Sequence, residues 1–216
     1  MDFYVPYEEK EDAKELGAKF DWNRKVWYAP NDEIAKQMET KWKTLKPALD
    51  ELVGEDVTYQ GNELFIDMIP SSSWGENARR YVDASDWHRV KTFVSKRANY
   101  KCEYCGDIGS DTHEKWEYNN DDETQILKRL TFLCKICHLA THTGYASICG
   151  RYEEAIEHLK DIRKWTDDDV EQHSAKQFEL YMKRSRVQWT LDLSILEDSG
   201  IELVEQELPY YLRQSI

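Results

Sequence analysis

Apolar residues recur along this chain at short and changing spacings, which predict a mixture of helices and strands. In the first 48 residues the pattern predicts a helix at 8–16, a strand at 26–28 and a second helix at 32–45. The second helix carries an apolar stripe at i, i+4 and i+8, formed by Ile34, Met38 and Trp42. We therefore expect residues 1–48 to fold as a small α/β accessory domain.

The remaining pattern predicts a larger α+β domain at 56–200, followed by a C-terminal tail at 201–216. Its first element is a hairpin over 56–69, in which Gly61 and Asn62 form the turn between two short apolar runs.

Three longer helices follow the predicted hairpin, at 86–99, 151–165 and 166–186. Thr166 and Asp169 have the spacing of a capping box at the start of the third. The core faces of the first two are Trp87, Val90, Phe93 and Val94, and then Ala155, Ile156, Leu159 and Ile162.

Charge narrows what this chain can bind. The 216 residues carry a net charge of −13, whereas proteins that bind nucleic acid usually present a basic face. Basic side chains still outnumber acidic ones between residues 75 and 101. The residues expected to contact nucleic acid there are Arg79, Arg80, Lys96 and Arg97. The acidic surface elsewhere suits a protein partner.

Two Cys-x2-Cys pairs stand 28 residues apart, and they are Cys102/Cys105 and Cys134/Cys137. A two-residue gap lets both sulfurs face one tetrahedral ion, so the two pairs predict a closed structural Zn²⁺ site. The sequence shows neither an apolar run of about 20 residues nor an export signal. We therefore expect no membrane contact and a reducing compartment, in which Cys149 is a buried free thiol.

Three histidines accompany the second cysteine pair. His138 and His142 are one helical turn apart and share a face, and His113 lies in a segment expected to fold back over that helix. Imidazoles with open coordination positions suit a catalytic divalent ion such as Mg²⁺, Mn²⁺, Ni²⁺ or Zn²⁺. Hydrolysis of a phosphodiester needs such an ion and a base for water. The surface is the expected place for His88, His158 and His173.

From Asn62 to about Leu196 the chain resembles a bacterial and phage group of HNH-type endonucleases. The matching segments keep their order and spacing, and they include residues 65–70, 102–106, 113–118, 133–144 and 184–192. The resemblance implies a zinc-ribbon or treble-clef-like ββα-metal core with flanking helices. It also implies metal-dependent hydrolysis of phosphodiester bonds, with DNA as the expected substrate.

In that family one residue pair on the hairpin strand supplies a metal ligand and a base. The resemblance assigns these roles to His113 and Glu114, and it assigns the helix positions of the catalytic site to His138 and His142. Two registers remain open. Either His113 is the base, which we favour, or His113 is a ligand and Glu114 takes the proton.

Arg129 departs from the family pattern. It stands five residues before Cys134, where the family has an asparagine that ties the loop orienting the base strand. Arginine can donate hydrogen bonds to that loop or reach a phosphate, but it cannot accept a hydrogen bond. We therefore include Arg129 among the expected nucleic-acid contacts.

Residues 5–30 resemble a small uncharacterised domain found on DNA-handling bacterial and phage proteins such as primases. The combined expectation is an HNH-type endonuclease in the cytoplasm of a bacterium or an infected cell. The alternative is a non-catalytic zinc-containing protein that engages a protein partner through its acidic surface. The net charge and Arg129 favour the alternative, and the histidine set favours the enzyme.

Overall fold

The computed structural model describes residues 1–22 and 24–204. The chain divides into two compact units, Met1–Ala48 and a second that begins at Leu49. Over the described residues the protein has two three-stranded sheets and several helices. The predicted α+β class is therefore confirmed.

The first unit packs two helices with a small three-stranded antiparallel sheet, whose central strand is Val26–Tyr28. Its apolar core contains Phe3, Ala13, Trp27, Met38 and Trp42. The elements are β1 (Asp2–Phe3), a 3₁₀ turn (Tyr7–Glu9), α1 (Lys10–Glu15), β2 (Lys19–Asp21), β3 (Val26–Tyr28) and α2 (Asp32–Glu39).

The helix expected at 32–45 ends at Glu39, so that boundary was wrong. The backbone N–H of Leu45 donates to the carbonyl of Asp2, and the N–H of Tyr4 donates to the carbonyl of Lys43. Residues 43–45 therefore pair with the backbone around β1. Trp42 reaches the core from the turn between helix and pairing segment.

The second unit contains most of the secondary structure. Its predicted helices are present within a few residues of their expected bounds, and the Thr166–Asp169 capping box is confirmed. The elements are 3₁₀ turns at Ser71–Ser73 and Ala78–Tyr81, α3 (Ala84–Arg97), β4 (Asp111–Asn119), β5 (Thr124–Leu133), α4 (Lys135–Thr141), α5 (Thr143–Ile148), α6 (Tyr152–Arg163), α7 (Asp167–Arg184), β6 (Thr190–Asp192) and α8 (Ser194–Glu197).

The hairpin expected over 56–69 does not form, because other elements take the backbone groups of this segment. The carbonyl of Gly61 accepts hydrogen bonds from Lys115 and Arg129, and the N–H of Ile66 donates to Nε2 of His173. His173 therefore has an internal contact, contrary to the expectation of a plain surface histidine. Side chains from β4, β5 and α7 hold these residues without a cross-strand ladder.

The antiparallel pair of this unit is β4 with β5, and β6 joins β5 in parallel. One apolar cluster, with Trp87, Val90, Trp116 and Leu130, includes residues of α3, β4 and β5. Leu52 and Ile201 are buried in it, so the packed region starts before residue 56 and continues past residue 200.

A second apolar cluster includes residues of α4 and α6, with Leu133, Leu139 and Leu159 among its members. It also contains three of the four paired cysteines, Cys102, Cys134 and Cys137. The cysteines therefore lie inside a packed interior, which limits the freedom of their side chains. None of the helices in the described residues combines the length and apolar character needed to cross a membrane.

Candidate functional site

The four paired cysteines meet between the end of α3 and the start of α4. Their sulfur atoms all lie within 4.8 Å of one another, and those of Cys105 and Cys134 are 3.6 Å apart. A tetrahedral zinc ion with Zn–S bonds of about 2.3 Å would hold sulfurs about 3.8 Å apart. The spacing in the structure fits that geometry, so the cluster is a candidate zinc site.

Local backbone geometry explains why this sequence forms the cluster. Gly106 follows the first pair with a φ of +83°, a conformation that glycine adopts without the strain of a side chain. Its N–H donates to the carbonyl of Cys102 and closes the tight turn. Cys134 stands at the N-cap of α4, so Cys137 follows in the first helical turn.

The crowded thiols differ in their tendency to ionise. The pKa of Cys102 is lowered to about 4, first by a hydrogen bond with the Cys137 thiol and then by backbone N–H groups. The hydrogen bond with Cys102 raises the pKa of the Cys137 thiol, and burial raises it further. Four adjacent thiolates would repel one another, and a zinc ion bound among them would offset that repulsion.

His158 contacts this cluster, contrary to the expectation that it lies on the surface without a partner. Its Nε2 is 3.0 Å from Sγ of Cys137. A hydrogen bond from outside the ligand set orients a metal-binding sulfur. Sequence spacing carries no signal for it, because α6 brings His158 to the knuckle only in the folded chain.

A second cluster forms from the three histidines singled out in the sequence. His113 comes from β4, and His138 and His142 lie along and at the end of α4. The ring centroids are 5.4 Å apart for His113–His138, 5.0 Å for His113–His142 and 5.1 Å for His138–His142. One ring nitrogen from each lies within 4.8 Å of the others.

His113 is the most buried member of the cluster, with 3% of its surface exposed. Its Nε2 is buried and finds no hydrogen-bond partner among the described residues. An unpaired buried nitrogen costs free energy unless something binds it. A metal ion shared with the other two rings would remove that cost.

His142 is oriented by the backbone of Asp67. The Nδ1 atom lies 3.4 Å from the Asp67 carbonyl oxygen, and the N–H of Asp67 donates to the carbonyl of Thr141. Histidine ligands commonly donate one ring N–H to a backbone carbonyl and present the other nitrogen to a metal. Asp67 was not among the predicted site residues, since a backbone contact leaves no trace in residue type.

All three imidazoles favour the neutral form. Burial lowers the pKa of each, to about 4 for His138 and well below its usual value for His113. The neighbouring rings lower the pKa of His113 further. A neutral imidazole has a lone pair free for a metal, so the cluster suits a cation better than a bound proton.

Glu114 follows His113 on β4 and makes different contacts. Its Oε1 accepts a hydrogen bond of 2.9 Å from the N–H of Ala78, which begins the 3₁₀ turn Ala78–Tyr81. Burial raises the pKa of Glu114 to about 7, and the backbone N–H groups of Ala78 and Arg79 oppose that rise. Glu114 thus joins β4 to the turn that carries Arg79.

The histidines and Glu114 line one cavity of about 880 Å³. Asp67 and Arg79 also line it, so the cavity collects acidic, basic and imidazole groups around one space. The cavity therefore combines three potential metal ligands, a neighbouring carboxylate and space for a substrate, which are the features that hydrolysis at a metal centre requires.

The expected nucleic-acid contacts are not gathered in one place. Arg79 is exposed and lines the cavity, whereas Lys96 is exposed on α3. Arg80 pairs with Glu76, and Arg97 pairs with Glu55 and donates to the carbonyl of Leu130; both arginines lie mostly buried.

Arg129 is 3% exposed, so the expectation that it contacts a phosphate was wrong. It pairs with Glu103 at 2.5 Å and donates to Asn62 and to the Gly61 carbonyl. This is the other role considered for it, a donor to a loop. The loop that it ties is 59–62, and Glu103 belongs to the first cysteine knuckle.

Cys149 was expected to be buried, but it is exposed at the end of α5. Ala146 of the same helix packs in the apolar interior instead. Cys149 is thus separate from both candidate metal sites.

A family described as a domain of unknown function (DUF5710) matches residues 1–43. This match covers most of the first unit and leaves both metal-ligand clusters outside it. The chain has no significant match among curated proteins or solved structures.

Proposed function

We infer that this chain is a metal-dependent endonuclease of the HNH type that hydrolyses phosphodiester bonds. The observation that carries the proposal is the cluster of His113, His138 and His142 inside the cavity. Three neutral imidazoles could hold a divalent ion, which would supply Lewis-acid chemistry for water and a phosphate oxygen.

The local architecture supports the same reading. An antiparallel pair, β4 and β5, leads directly into α4, and this succession is the one expected of a ββα-metal core. The cysteine cluster ties the start of α4 to the chain before β4. Zinc bound there would keep His138 and His142 aligned with the strand that carries His113.

The geometry favours the second of the two registers for the strand pair. His113 points at the two helix histidines, as a ligand would, and its unpaired Nε2 fits that role. Glu114 is then the residue that takes the proton from water, since it is the adjacent carboxylate of the cavity.

Each residue has a separate task in this proposal. His113, His138 and His142 hold a divalent ion, which would lower the pKa of bound water and stabilise charge on the phosphate. Glu114 accepts the proton, and the N–H groups of Ala78 and Arg79 fix its carboxylate beside β4. Asp67 keeps the ring of His142 turned toward the site.

The proposal is tested by incubating the zinc-loaded protein with supercoiled plasmid and with a labelled single-stranded oligonucleotide. Mg²⁺, Mn²⁺ and Ni²⁺ are supplied in turn, and His113→Ala is compared with wild type. We expect cleavage by wild type alone. His88→Ala serves as the matched control, because His88 is exposed on α3 and belongs to neither cluster.

Absence of cleavage with every metal, from protein shown to retain zinc, would favour the other candidate function. That candidate is a non-catalytic zinc-containing protein that binds a protein partner. The net charge of −13 supports it, because a nuclease that grips duplex DNA usually carries a basic face.

A further inference from the structure

Large side chains surround the mouth of the histidine cavity. Trp74, Tyr145, Ile148 and Phe178 all line it, and their exposed fractions are 55%, 63%, 84% and 54%. Solvent-exposed apolar groups gathered around one opening are typical of a binding site. The aromatic members offer flat faces beside the candidate metal ligands.

Two of these rings have defined positions. The indole N–H of Trp74 donates to the carbonyl of Ile69 at 3.0 Å, which restrains the orientation of the ring. Phe178 stacks on Tyr181 of the same helix, with centroids 5.8 Å apart and an angle of 23° between the planes. A ligand that stacks on them meets surfaces that are already oriented.

Charge around the cavity is not suited to a duplex. Arg79 is the one arginine or lysine among the described residues that line it, whereas Asp67, Glu76 and Glu114 are acidic. Duplex binding depends on several phosphate contacts by lysine and arginine, and the chain as a whole carries a charge of −13. Affinity must come from another source.

We propose that the cavity takes a single-stranded or locally unpaired DNA segment, with bases stacked on Trp74 and Phe178 and one phosphate on Arg79. This substrate class rests on the proposed nuclease function. Each stacked base contributes about 5- to 150-fold in affinity, and every base has a face that can stack. Bases inside a duplex are paired and cannot reach these rings.

The stacking is tested by binding to the zinc-loaded full chain without added Mg²⁺, Mn²⁺ or Ni²⁺, and gel electrophoresis of the recovered probe verifies that it stays uncleaved. The probes are a fluorescent 12-nucleotide oligothymidylate, an abasic strand of equal length and a duplex of equal length. We expect the oligothymidylate to bind at least tenfold more tightly than either other probe, because only it offers free bases.

Variants locate the surface. Trp74→Ala and Phe178→Ala are each expected to weaken oligothymidylate binding about fivefold or more. Tyr152→Ala is the matched control, since Tyr152 is an exposed aromatic residue of α6 outside the cavity lining. Zinc content and the circular dichroism spectrum of each variant show whether the fold is kept.

Salt dependence provides a second readout. With one phosphate held by Arg79, the slope of log K against log salt is expected to be close to −0.7, the value for one contact on a single strand. Arg79→Gln should bring the slope near zero and leave the preference for the oligothymidylate over the abasic strand intact.

Equal affinity for the oligothymidylate and the abasic strand would overturn the proposal, as would tighter binding of the duplex or no binding of any probe. These results are separable from the nuclease test. If the protein cleaved plasmid in a His113-dependent way but bound the oligothymidylate and the abasic strand equally, the nuclease proposal would stand. The proposal of a single-stranded substrate would then be wrong.

Discussion

The ring of His113 on β4 lies 5.0 Å from the ring of His142 at the end of α4. His138 and His142 belong to the same helical segment, yet their rings are 5.1 Å apart, so the strand histidine is equally close. One ring nitrogen from each of the three histidines lies within 4.8 Å of the others, which is close enough for them to share one ion. The contact therefore favours His113 as the third ligand of a shared ion.

Two variants distinguish the proposed metal-ligand role of His113 from the proposed base role of Glu114. We expect Glu114→Gln to slow single-turnover cleavage about 10²- to 10⁴-fold, because the amide cannot accept the proton from water. Its affinity for Mn²⁺ should stay that of wild type. His113→Ala should bind Mn²⁺ more weakly than wild type. Isothermal titration calorimetry measures the Mn²⁺ affinity of both variants.

Glu117→Gln is the control for these variants, because Glu117 lies on β4 and pairs with Lys128 at 3.4 Å, outside the histidine cavity. It should cleave at the wild-type rate. If His113→Ala kept full Mn²⁺ affinity but lost cleavage, and Glu114→Gln cleaved normally, His113 would be the base and Glu114 would not.

Removal of zinc is expected to unfold the second unit. Zinc bound by Cys102, Cys105, Cys134 and Cys137 would contribute folding free energy directly, since the unfolded chain has no preformed site. Cys134→Ala should therefore lose one tightly bound zinc per chain and much of its cooperative thermal unfolding. Metal analysis and calorimetry measure the two quantities.

Cys149→Ala is the matched cysteine control, because Cys149 is exposed and lies outside the cluster. It should keep both the zinc and the unfolding transition. A Cys134→Ala protein with normal zinc content and a normal transition would contradict the zinc assignment.

Arg129 is expected to stabilise the second unit through its buried partner. Replacement by Met leaves Glu103, which is 14% exposed in its side chain, without its cation. Breaking such a buried pair costs about 3–5 kcal/mol of unfolding free energy. Denaturant unfolding measures the change.

Lys128→Met tests the adjacent position, where the ion pair with Glu117 is partly exposed. Such a pair contributes at most about 1 kcal/mol. Equal destabilisation by both variants would argue that Arg129 acts only through its apolar stem.

A side chain at Gly109 is expected to destabilise the second unit. A Cβ at this position would lie 2.3 Å from two ring atoms of Phe132, and Phe132 is 7% exposed and packed in the core. Gly109→Ala should lower the unfolding free energy by about 1–3 kcal/mol, and Phe132→Leu should relieve part of that loss.

Gly144→Ala is the comparison, because a Cβ there meets nothing within 4 Å and the residue lies in α5. An added methyl group in that helix should stabilise by up to about 1 kcal/mol. Destabilisation by Gly144→Ala equal to that of Gly109→Ala would show that contact with Phe132 is not the cause.

Local signals predicted much of this protein because they depend on neighbouring residues. The apolar stripes on α3 and α6 and the capping box at Thr166 arise from helical spacing alone. The same holds for the cysteine pairs, because a tight turn brings Cys102 and Cys105 together whatever the rest of the chain does.

The hairpin expected near Gly61 failed because a turn signal does not determine which groups complete the hydrogen bonds. Lys115 and Arg129 come from β4 and β5 and take the carbonyl of Gly61. Similarly, Arg129 looked like a free cation in the sequence, and only folding brought Glu103 within 2.5 Å of it.

The sequence by itself determined the mixed α+β class, the three longer helices of the second unit and the residue types of both candidate metal sites. Tertiary structure decided that His113 meets His138 and His142, that His158 contacts Cys137 and that Asp67 orients His142. Helical and turn spacing act over a few bonds. Contacts between distant segments depend on how the strands and helices pack, and side-chain spacing along the chain does not record that packing.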